Sequence, residues 1–229
     1  MTTNTHRKLH RQSGFSLLEL LVVVLLLTII VGALFSQIER AQVRYQVEDQ
    51  KLDITQQERE FIDQFTRDLH QAGFPSVAVY GNQYDLTSNF TAAGVWYVSD
   101  SEIHMEGDVD GSGVVSVVVY SYVNGPSPCP CLRRSATPKL AGFAPSAQTP
   151  GTNYTQVENV VPITGQPVFA AYDSSGNQVS SSTPMVNSNG LNTIKSIRIT
   201  VTTQGTTKDA DAHKDIQVTM TGMARLVNN

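Results

Sequence analysis

An unbroken apolar segment close to the N-terminus is the feature that most constrains this chain. From Phe15 to Phe35 there are 21 residues, and Glu19 is the one charged residue among them. As an α-helix, a segment of this length rises about 30 Å, which matches the hydrocarbon core of a lipid bilayer. The segment therefore predicts a transmembrane helix. Glu19 needs a separate explanation, because a carboxylate inside a membrane span is costly, requires a partner and marks a functional position.

The residues on either side of the span predict its orientation and its retention. Residues 1–14 carry Arg7, Lys8 and Arg11 and no acidic residue, a charge of +3. Positive charge beside a membrane span favours the cytoplasmic side. No clear small-residue cleavage site follows the apolar run, and the residues from Ser36 onward are typical of a helix that continues into water. We therefore expect the span to remain in the mature protein.

The basic leader, Gly14, Phe15 and the following Ser-Leu-Leu-Glu-Leu resemble the class III signal of type IV prepilins and pseudopilins. The resemblance implies that a prepilin peptidase removes residues 1–14 by cleavage between Gly14 and Phe15, and that the new N-terminus of Phe15 is methylated. It also implies that Glu19 acts in filament assembly.

The position of Glu19 is compatible with such a role. A carboxylate four residues after a free amine lies one turn along the same helix face. In a packed fibre it could pair with the amine of a neighbouring subunit, which offsets the cost of burial. A simpler explanation is that the helix dipole and lipid headgroups favour an acidic residue in the first turn. The two explanations can hold together.

The helix is predicted to continue beyond the membrane, because no proline occurs between Phe15 and Phe74. Residues 36–73 form an amphipathic half, in which Glu58 interrupts the apolar stripe. Gly73-Phe74-Pro75 should end the helix, since glycine suits the C-terminal cap and proline cannot continue. This half is expected to pack on a head domain, residues 74–229, through a stripe at helical spacing formed by Ile54, Phe61, Phe65, Leu69 and Ala72.

The end of this helix carries a second resemblance. The sequence Arg67-Asp68-Leu69, followed by Ala72-Gly73-Phe74, is similar to the helix end of PilW-like minor pilins and of J-type minor pseudopilins of type II secretion. This second resemblance implies that the chain belongs to one of these two groups, whereas the N-terminal motif is common to all members of the superfamily.

The head domain alternates apolar and polar residues with a period of two, which predicts antiparallel β-strands. The expected fold is therefore α+β and type IV pilin-like, with a long N-terminal helix packed on an antiparallel sheet. The last two strands should form a hairpin in which Gly222 marks a bulge. Residues 124–155, rich in proline, are expected to form an exposed, variable loop. The predicted strands are Ser76–Tyr80, Val95–Ser99, Ser101–Glu106, Val114–Val123, Gln156–Ile163, Val168–Tyr172, Thr193–Thr203 and Lys214–Val227.

The two cysteines, Cys129 and Cys131, lie outside the cytoplasm in this topology, where disulfides persist. A bridge between them would close a very small, strained ring. An intramolecular disulfide, free thiols and pairing with another molecule all remain open. A structural zinc site is not expected, because no second pair of ligands is apparent.

Asp108, Asp110 and Ser112 place oxygen atoms on alternate residues before a glycine, as at the start of a calcium loop. The twelfth position is Val119, where an EF-hand requires a bidentate glutamate, so an EF-hand is excluded. A weaker calcium site and an ordinary glycine-rich turn remain as alternatives. No other cofactor is expected.

The net charge and the motifs restrict the classes of function that the chain can have. Without the leader, 13 basic and 20 acidic residues remain, a charge of −7, which argues against nucleic acid as the main partner. No local motif for nucleophilic catalysis or phosphate binding is present, so an enzyme is not expected. The resemblance implies a minor pilin that helps to assemble a type IV pilus; the alternatives are a pseudopilin of type II secretion and a pilin-anchored module that binds calcium, sugar or DNA.

The same resemblance implies the location and the partners. The protein would cross the inner membrane once, with its N-terminus in the cytoplasm and its head in the periplasm, before it enters a pilus or pseudopilus fibre. The expected partners are prepilin peptidase, other major and minor pilins or pseudopilins, an inner-membrane assembly platform and the lipid bilayer.

Overall fold

The structure is a computed structural model that describes residues 14–76, 87–126, 129–179, 185–186, 193–208 and 214–228. Residues 1–13 of the leader and most of the predicted strand Ser76–Tyr80 lie outside the described residues. The chain divides into two compact units, which meet between Gln46 and Val47.

One helix, α1, extends from Leu17 to Gln71, over 55 residues. The predicted long helix is therefore confirmed, together with its end at Gly73. The backbone of Gly73 has a φ of 79°, a left-handed conformation that favours glycine. A β-carbon at this position would also meet the carbonyl oxygen of Asn228 at 2.5 Å. Both the turn and the close approach of the C-terminal segment thus require glycine here.

Nine strands in the described part of the chain form two antiparallel sheets. The larger sheet has the strand order β5-β4-β3-β2-β1-β7, and the smaller sheet has the order β6-β8-β9. The strands of the larger sheet are β1 (Gly94–Val98), β2 (Glu102–Gly107), β3 (Ser116–Val123), β4 (Cys131–Pro138), β5 (Tyr154–Glu158) and β7 (Met185–Val186). Those of the smaller sheet are β6 (Phe169–Tyr172), β8 (Ser196–Lys208) and β9 (Asp215–Arg225).

The chain passes from one sheet to the other directly after β5. The N–H of Val160 donates to the carbonyl oxygen of Pro130, just before β4, at 3.0 Å. The next N–H, of Val161, donates to Thr202 of β8 at 2.7 Å. Asn159 adopts a φ of 55° at this crossing, and its carbonyl oxygen accepts the N–H of Gln204 at 2.9 Å. Backbone hydrogen bonds therefore join the two sheets.

The C-terminal part of α1 packs on both sheets. Phe65 is fully buried; its ring centroid lies 5.1 Å from that of Tyr120 in β3 and 5.7 Å from that of Phe169 in β6. The predicted stripe is confirmed, since every one of its members is buried: Ile54, Phe61, Phe65, Leu69 and Ala72. The α+β fold, with a long helix on antiparallel sheets, follows from this packing.

The predicted loop at residues 124–155 is wrong in part, because it contains β4, a strand within the larger sheet. Its Leu132 is fully buried, and Ser135 is 1% exposed. The sequence pattern did not predict this strand, because it contains adjacent arginines and has prolines at its ends. Arg134 is accommodated next to the core because it pairs with the buried carboxylate of Asp68.

Gly222 does not mark a bulge. It pairs with Ile199 in regular register, and the irregularity of the β8–β9 hairpin lies between Gln204 and Lys208. A β-carbon built on Gly222 would collide with the Cγ2 atom of Ile62 on α1. The glycine therefore allows the helix to approach the sheet closely, which is the other common reason for glycine in a strand.

Candidate membrane and assembly site

The N-terminal end of α1 holds the residues that the sequence motif singles out. Gly14, Phe15 and Ser16 precede the first helical residue, Leu17. The carbonyl oxygen of Ser16 accepts the N–H groups of Glu19 and Leu20 at 3.0 and 3.1 Å. Glu19 is consequently in the first turn, where the positive end of the helix dipole favours a carboxylate. The dipole explanation thus applies, and the assembly role remains a prediction.

The first half of α1 presents an apolar surface that is exposed along its whole length. Every residue from Gly14 to Phe35 is exposed, including Phe15 at 78% and Leu17 at 82%. Among the described residues, α1 is the one helix that is long and apolar enough to cross a membrane. A continuous apolar surface of this length requires lipid or another protein around it.

Thr28 in this half and Ser36 just beyond it satisfy their hydroxyl groups within the helix. Thr28 donates its hydroxyl to the carbonyl oxygens of Leu25 at 2.7 Å and Val24 at 3.1 Å. Ser36 donates to Ala33 at 3.0 Å. A polar group inside a bilayer has no water to bind, so such internal hydrogen bonds suit a membrane environment.

Further along, α1 carries Asp68. This residue belongs to the helix end that resembles minor pilins, but the sequence did not indicate its partners. One carboxylate oxygen accepts the Tyr120 hydroxyl at 2.7 Å and the Nε–H of Arg134 at 2.8 Å, and the other accepts the side-chain amide of Gln64 at 2.6 Å. Burial, followed by the negative charge of Asp68, raises the pKa of Tyr120, which keeps the phenol protonated as a donor. The network attaches the helix to β3 and β4.

A second buried ion pair lies inside the head. The Nζ of Lys139 lies 2.6 Å from a carboxylate oxygen of Glu106, and both side chains are completely buried. The same oxygen accepts the N–H of Ala93, and the lysine also donates to the carbonyl oxygen of Thr91. Burial raises the pKa of Glu106 while the lysine opposes the rise. The sequence did not indicate that Lys139 is buried and paired, because this residue belongs to the segment predicted as a loop.

Glu58 lies on the apolar stripe of α1 and is fully buried. Neither of its carboxylate oxygens has a hydrogen-bond partner among the described residues, and the same holds for the buried hydroxyl of Thr203 on β8. Burial raises the pKa of Glu58 to about 7, an effect that the adjacent Thr203 partly offsets. The interruption of the stripe by Glu58 is thus a buried carboxyl group in the helix–sheet interface, beside Thr203.

The oxygen atoms of the candidate calcium loop hold the turn itself. Asp108 accepts the N–H of Gly113 at 2.9 Å, Asp110 accepts that of Ser112 at 3.0 Å, and the Ser112 hydroxyl accepts that of Val114 at 3.3 Å. In the part of the chain that the structure describes, no group of three or more His, Cys, Asp and Glu side chains is arranged to hold a metal. Calcium binding here stays a prediction.

Cys129 and Cys131 are joined by a disulfide in the structure. Cys131 is the first residue of β4 and is fully buried, and Cys129 is 7% exposed. The side chain of Arg133 donates to the sulfur of Cys129 at 3.2 Å. The bridge therefore lies at the turn between β3 and β4.

Comparison with known proteins adds one finding at the N-terminus. Residues 9–35 match the family model described as the prokaryotic N-terminal methylation motif. No curated protein and no solved structure matches the chain. The matched residues include Gly14, Phe15, Glu19 and the whole apolar span. The motif and the exposed apolar helix together indicate a type IV pilin-like prepilin that is anchored in a membrane.

Proposed function

We propose that this protein is a minor pilin, a structural subunit that helps to initiate or assemble a type IV pilus. The observation that carries the proposal is the methylation motif at residues 9–35, followed without interruption by a helix that continues to Gln71. The resemblance of the helix end at residues 67–74 to PilW-like minor pilins supports the minor-pilin branch. J-type pseudopilins share this resemblance and are the second candidate; pilus genes or secretion genes beside the coding gene distinguish the two.

In this proposal the chain matures in two steps, cleavage and methylation. Prepilin peptidase removes residues 1–14, and the amine of Phe15 is methylated. Residues 15–35 then anchor the protein in the inner membrane, with the head, residues 74–229, in the periplasm. The basic leader supports this orientation, because Arg7, Lys8 and Arg11 favour the cytoplasmic side. The protein acts as a building block and carries out no chemistry of its own.

Assembly removes the apolar helix from lipid and places it among other pilins. Glu19 has a defined part in this step. Its side chain is exposed in the first helical turn, so it is accessible to the N-terminal amine of a neighbouring subunit. An ion pair in a water-poor fibre is favourable only when both charges are present and close, so it selects subunits in the correct register. The inner-membrane assembly platform would present the subunits to each other.

The processing step is tested by mass spectrometry of the mature N-terminus. We expect the chain from cells with an active prepilin peptidase to begin at a methylated Phe15, and the chain from cells without the peptidase to retain residues 1–14. An intact leader in cells with the active peptidase would contradict the proposal.

The variant Glu19→Ala is expected to insert into the membrane normally, because it removes a charge from the span, and to enter filaments at least about ten-fold less than the wild type, since it loses a charged pair. The measurement is the amount of the protein in sheared filaments relative to the membrane fraction. Glu39→Ala, which removes an exposed charge beyond the span, is the matched control. Equal incorporation of Glu19→Ala and wild type would exclude Glu19 from assembly.

A further inference from the structure

Two arginines lie side by side on the face of the smaller sheet that points away from α1. Gly222 of β9 faces the helix, so the alternation of side chains along the strand turns Met223 and Arg225 outward. On β8, Arg198 pairs with Met223, and the residue two positions earlier pairs with Arg225. The two arginines are thus diagonal neighbours, roughly 7–8 Å apart. A pair of carboxylates at a similar spacing can reach both of them.

We call this surface the arginine face and define it by Tyr172, Arg198, Met223 and Arg225. The guanidinium group of Arg198 lies over the ring of Tyr172, 5.1 Å from its centroid, and Met223 is 60% exposed. Arg225 is exposed, and neither arginine forms an ion pair with any residue that the structure describes. The adjacent carboxylate of Asp173 accepts two N–H groups of its own turn at 2.8 and 2.9 Å. The arginine face therefore lacks an acidic partner within the described head.

A groove of about 410 Å³, lined by α1 and the edge strand β5, carries the opposite charge. Its carboxylates belong to Glu60 and Asp63, which define what we call the acidic groove. Both residues are exposed and lie one helical turn apart, at roughly 5–6 Å between their Cβ atoms. Asp63 has no hydrogen bond or ion pair to any described residue. Arg67, the one cation among the described lining residues, lies one turn further along and donates to Gln64 at 2.9 Å.

The arginine face and the acidic groove lie at the same height on the head. Strand β9 runs in the same direction as α1, because Gly222 lies against Ile62 and Asn228 bonds to His70. Arg225, between the two contacts, is therefore level with the part of the helix that holds the groove. One surface is on the sheet side of the head and the other is on the exposed side of the helix, so they cannot meet within one molecule. Two heads whose helices run in the same direction can bring them together.

We propose that the arginine face of one molecule binds the acidic groove of a second copy of this chain. Arg198 and Arg225 pair with the two carboxylates of the groove, since guanidinium groups suit carboxylate partners. Nucleic acid is a poorer partner, because two arginines in a mature chain of charge −7 neutralise few phosphates. The contact joins two different surfaces, so each copy can bind one neighbour on either side. The proposal depends neither on Glu19 nor on the kind of fibre that the protein enters.

The test measures self-association of the full mature chain in a zwitterionic detergent by sedimentation velocity. We expect the wild type to associate reversibly, and more weakly at about 0.5 M than at about 0.05 M salt, because exposed ion pairs are screened. The double variants Arg198→Glu/Arg225→Glu and Glu60→Lys/Asp63→Lys should each associate about 10-fold or more weakly, since like charges then face each other. An equal mixture of the two should associate again, because the reversed face of one variant fits the reversed groove of the other.

Matched controls separate the contact from net charge and from folding. Lys208→Glu/Lys214→Glu makes the same change of charge at exposed positions of the same hairpin, outside the arginine face, and should associate like the wild type. Arg225→Glu alone, at an exposed position, should weaken association without altering thermal unfolding. The proposal is overturned if the wild type does not associate, if the charge-reversed variants associate like the wild type through the apolar helix alone, or if mixing them restores nothing.

Discussion

Lys139→Met is expected to lower the free energy of unfolding of the head by about 3–5 kcal/mol, because it leaves the carboxylate of Glu106 buried without its cation. Both side chains are fully buried and their charged atoms are 2.6 Å apart. Methionine has a similar length and is apolar, so the change removes the charge and little volume. Denaturant unfolding of the full chain in detergent, followed by tryptophan fluorescence, measures the loss.

Two further variants show that the effect belongs to the pair. Lys51→Met removes an exposed lysine whose partner, Glu48, is also at the surface, and should cost less than about 1 kcal/mol. In the Lys139→Met background, Glu106→Gln should recover part of the stability, since the amide oxygen can still accept the N–H of Ala93. A loss below about 1 kcal/mol for Lys139→Met would show that the ion pair contributes no more than a surface contact.

The head is expected to lose stability as the pH rises, because the carboxyl group of Glu58 is buried. The folded-state pKa of about 7 lies above the reference value of 4.5, so the neutral carboxyl group is the form that the fold favours. The contribution is complete below pH 4.5 and is lost as the pH rises through about 7. A shift of this size corresponds to about 3 kcal/mol.

Glu58→Gln tests this directly, because glutamine keeps the shape of the neutral form and cannot ionise. Its free energy of unfolding, relative to that of the wild type, should increase between pH 5 and pH 8.5. Glu60→Gln, at an exposed position of the same helix, should keep the pH dependence of the wild type. The raised pKa of Glu106 acts in the same direction in all three proteins and cancels in the comparison. Parallel pH profiles for Glu58→Gln and wild type would contradict the prediction.

The features that the sequence predicted correctly are those that depend on local periodicity. The helix stripe from Ile54 to Ala72 repeats at helical spacing, and the hairpin of β8 and β9 alternates apolar and polar residues over both strands. Gly73 and Pro75 indicate where the helix ends. The N-terminal motif is also local, since its glycine, phenylalanine and glutamate are separated by fixed, short distances. Such signals can be recognised in the sequence without any knowledge of tertiary contacts.

The features that were missed depend on residues far apart in the chain. Asp68 and Arg134 are 66 positions apart, and Glu106 and Lys139 are 33 apart. Without its partner each charge predicts exposure, which is why β4 was assigned to a loop. Gly222 was misjudged for a related reason: its neighbours in sequence indicate a bulge, whereas the contact that requires glycine comes from Ile62 on the helix.

The closeness of the last strand to the first helix determines when the head can be completed during synthesis. Ala224 and Leu226 are buried, and the side chain of Asn228 donates to the carbonyl oxygen of His70 at 3.4 Å. The ribosome delivers α1 before these residues, so the side of the helix that packs against β9, at Ile62, stays uncovered until that strand has emerged. A partly made chain exposes that surface to aggregation and proteases. Biogenesis of this protein is therefore most vulnerable before its final strand arrives.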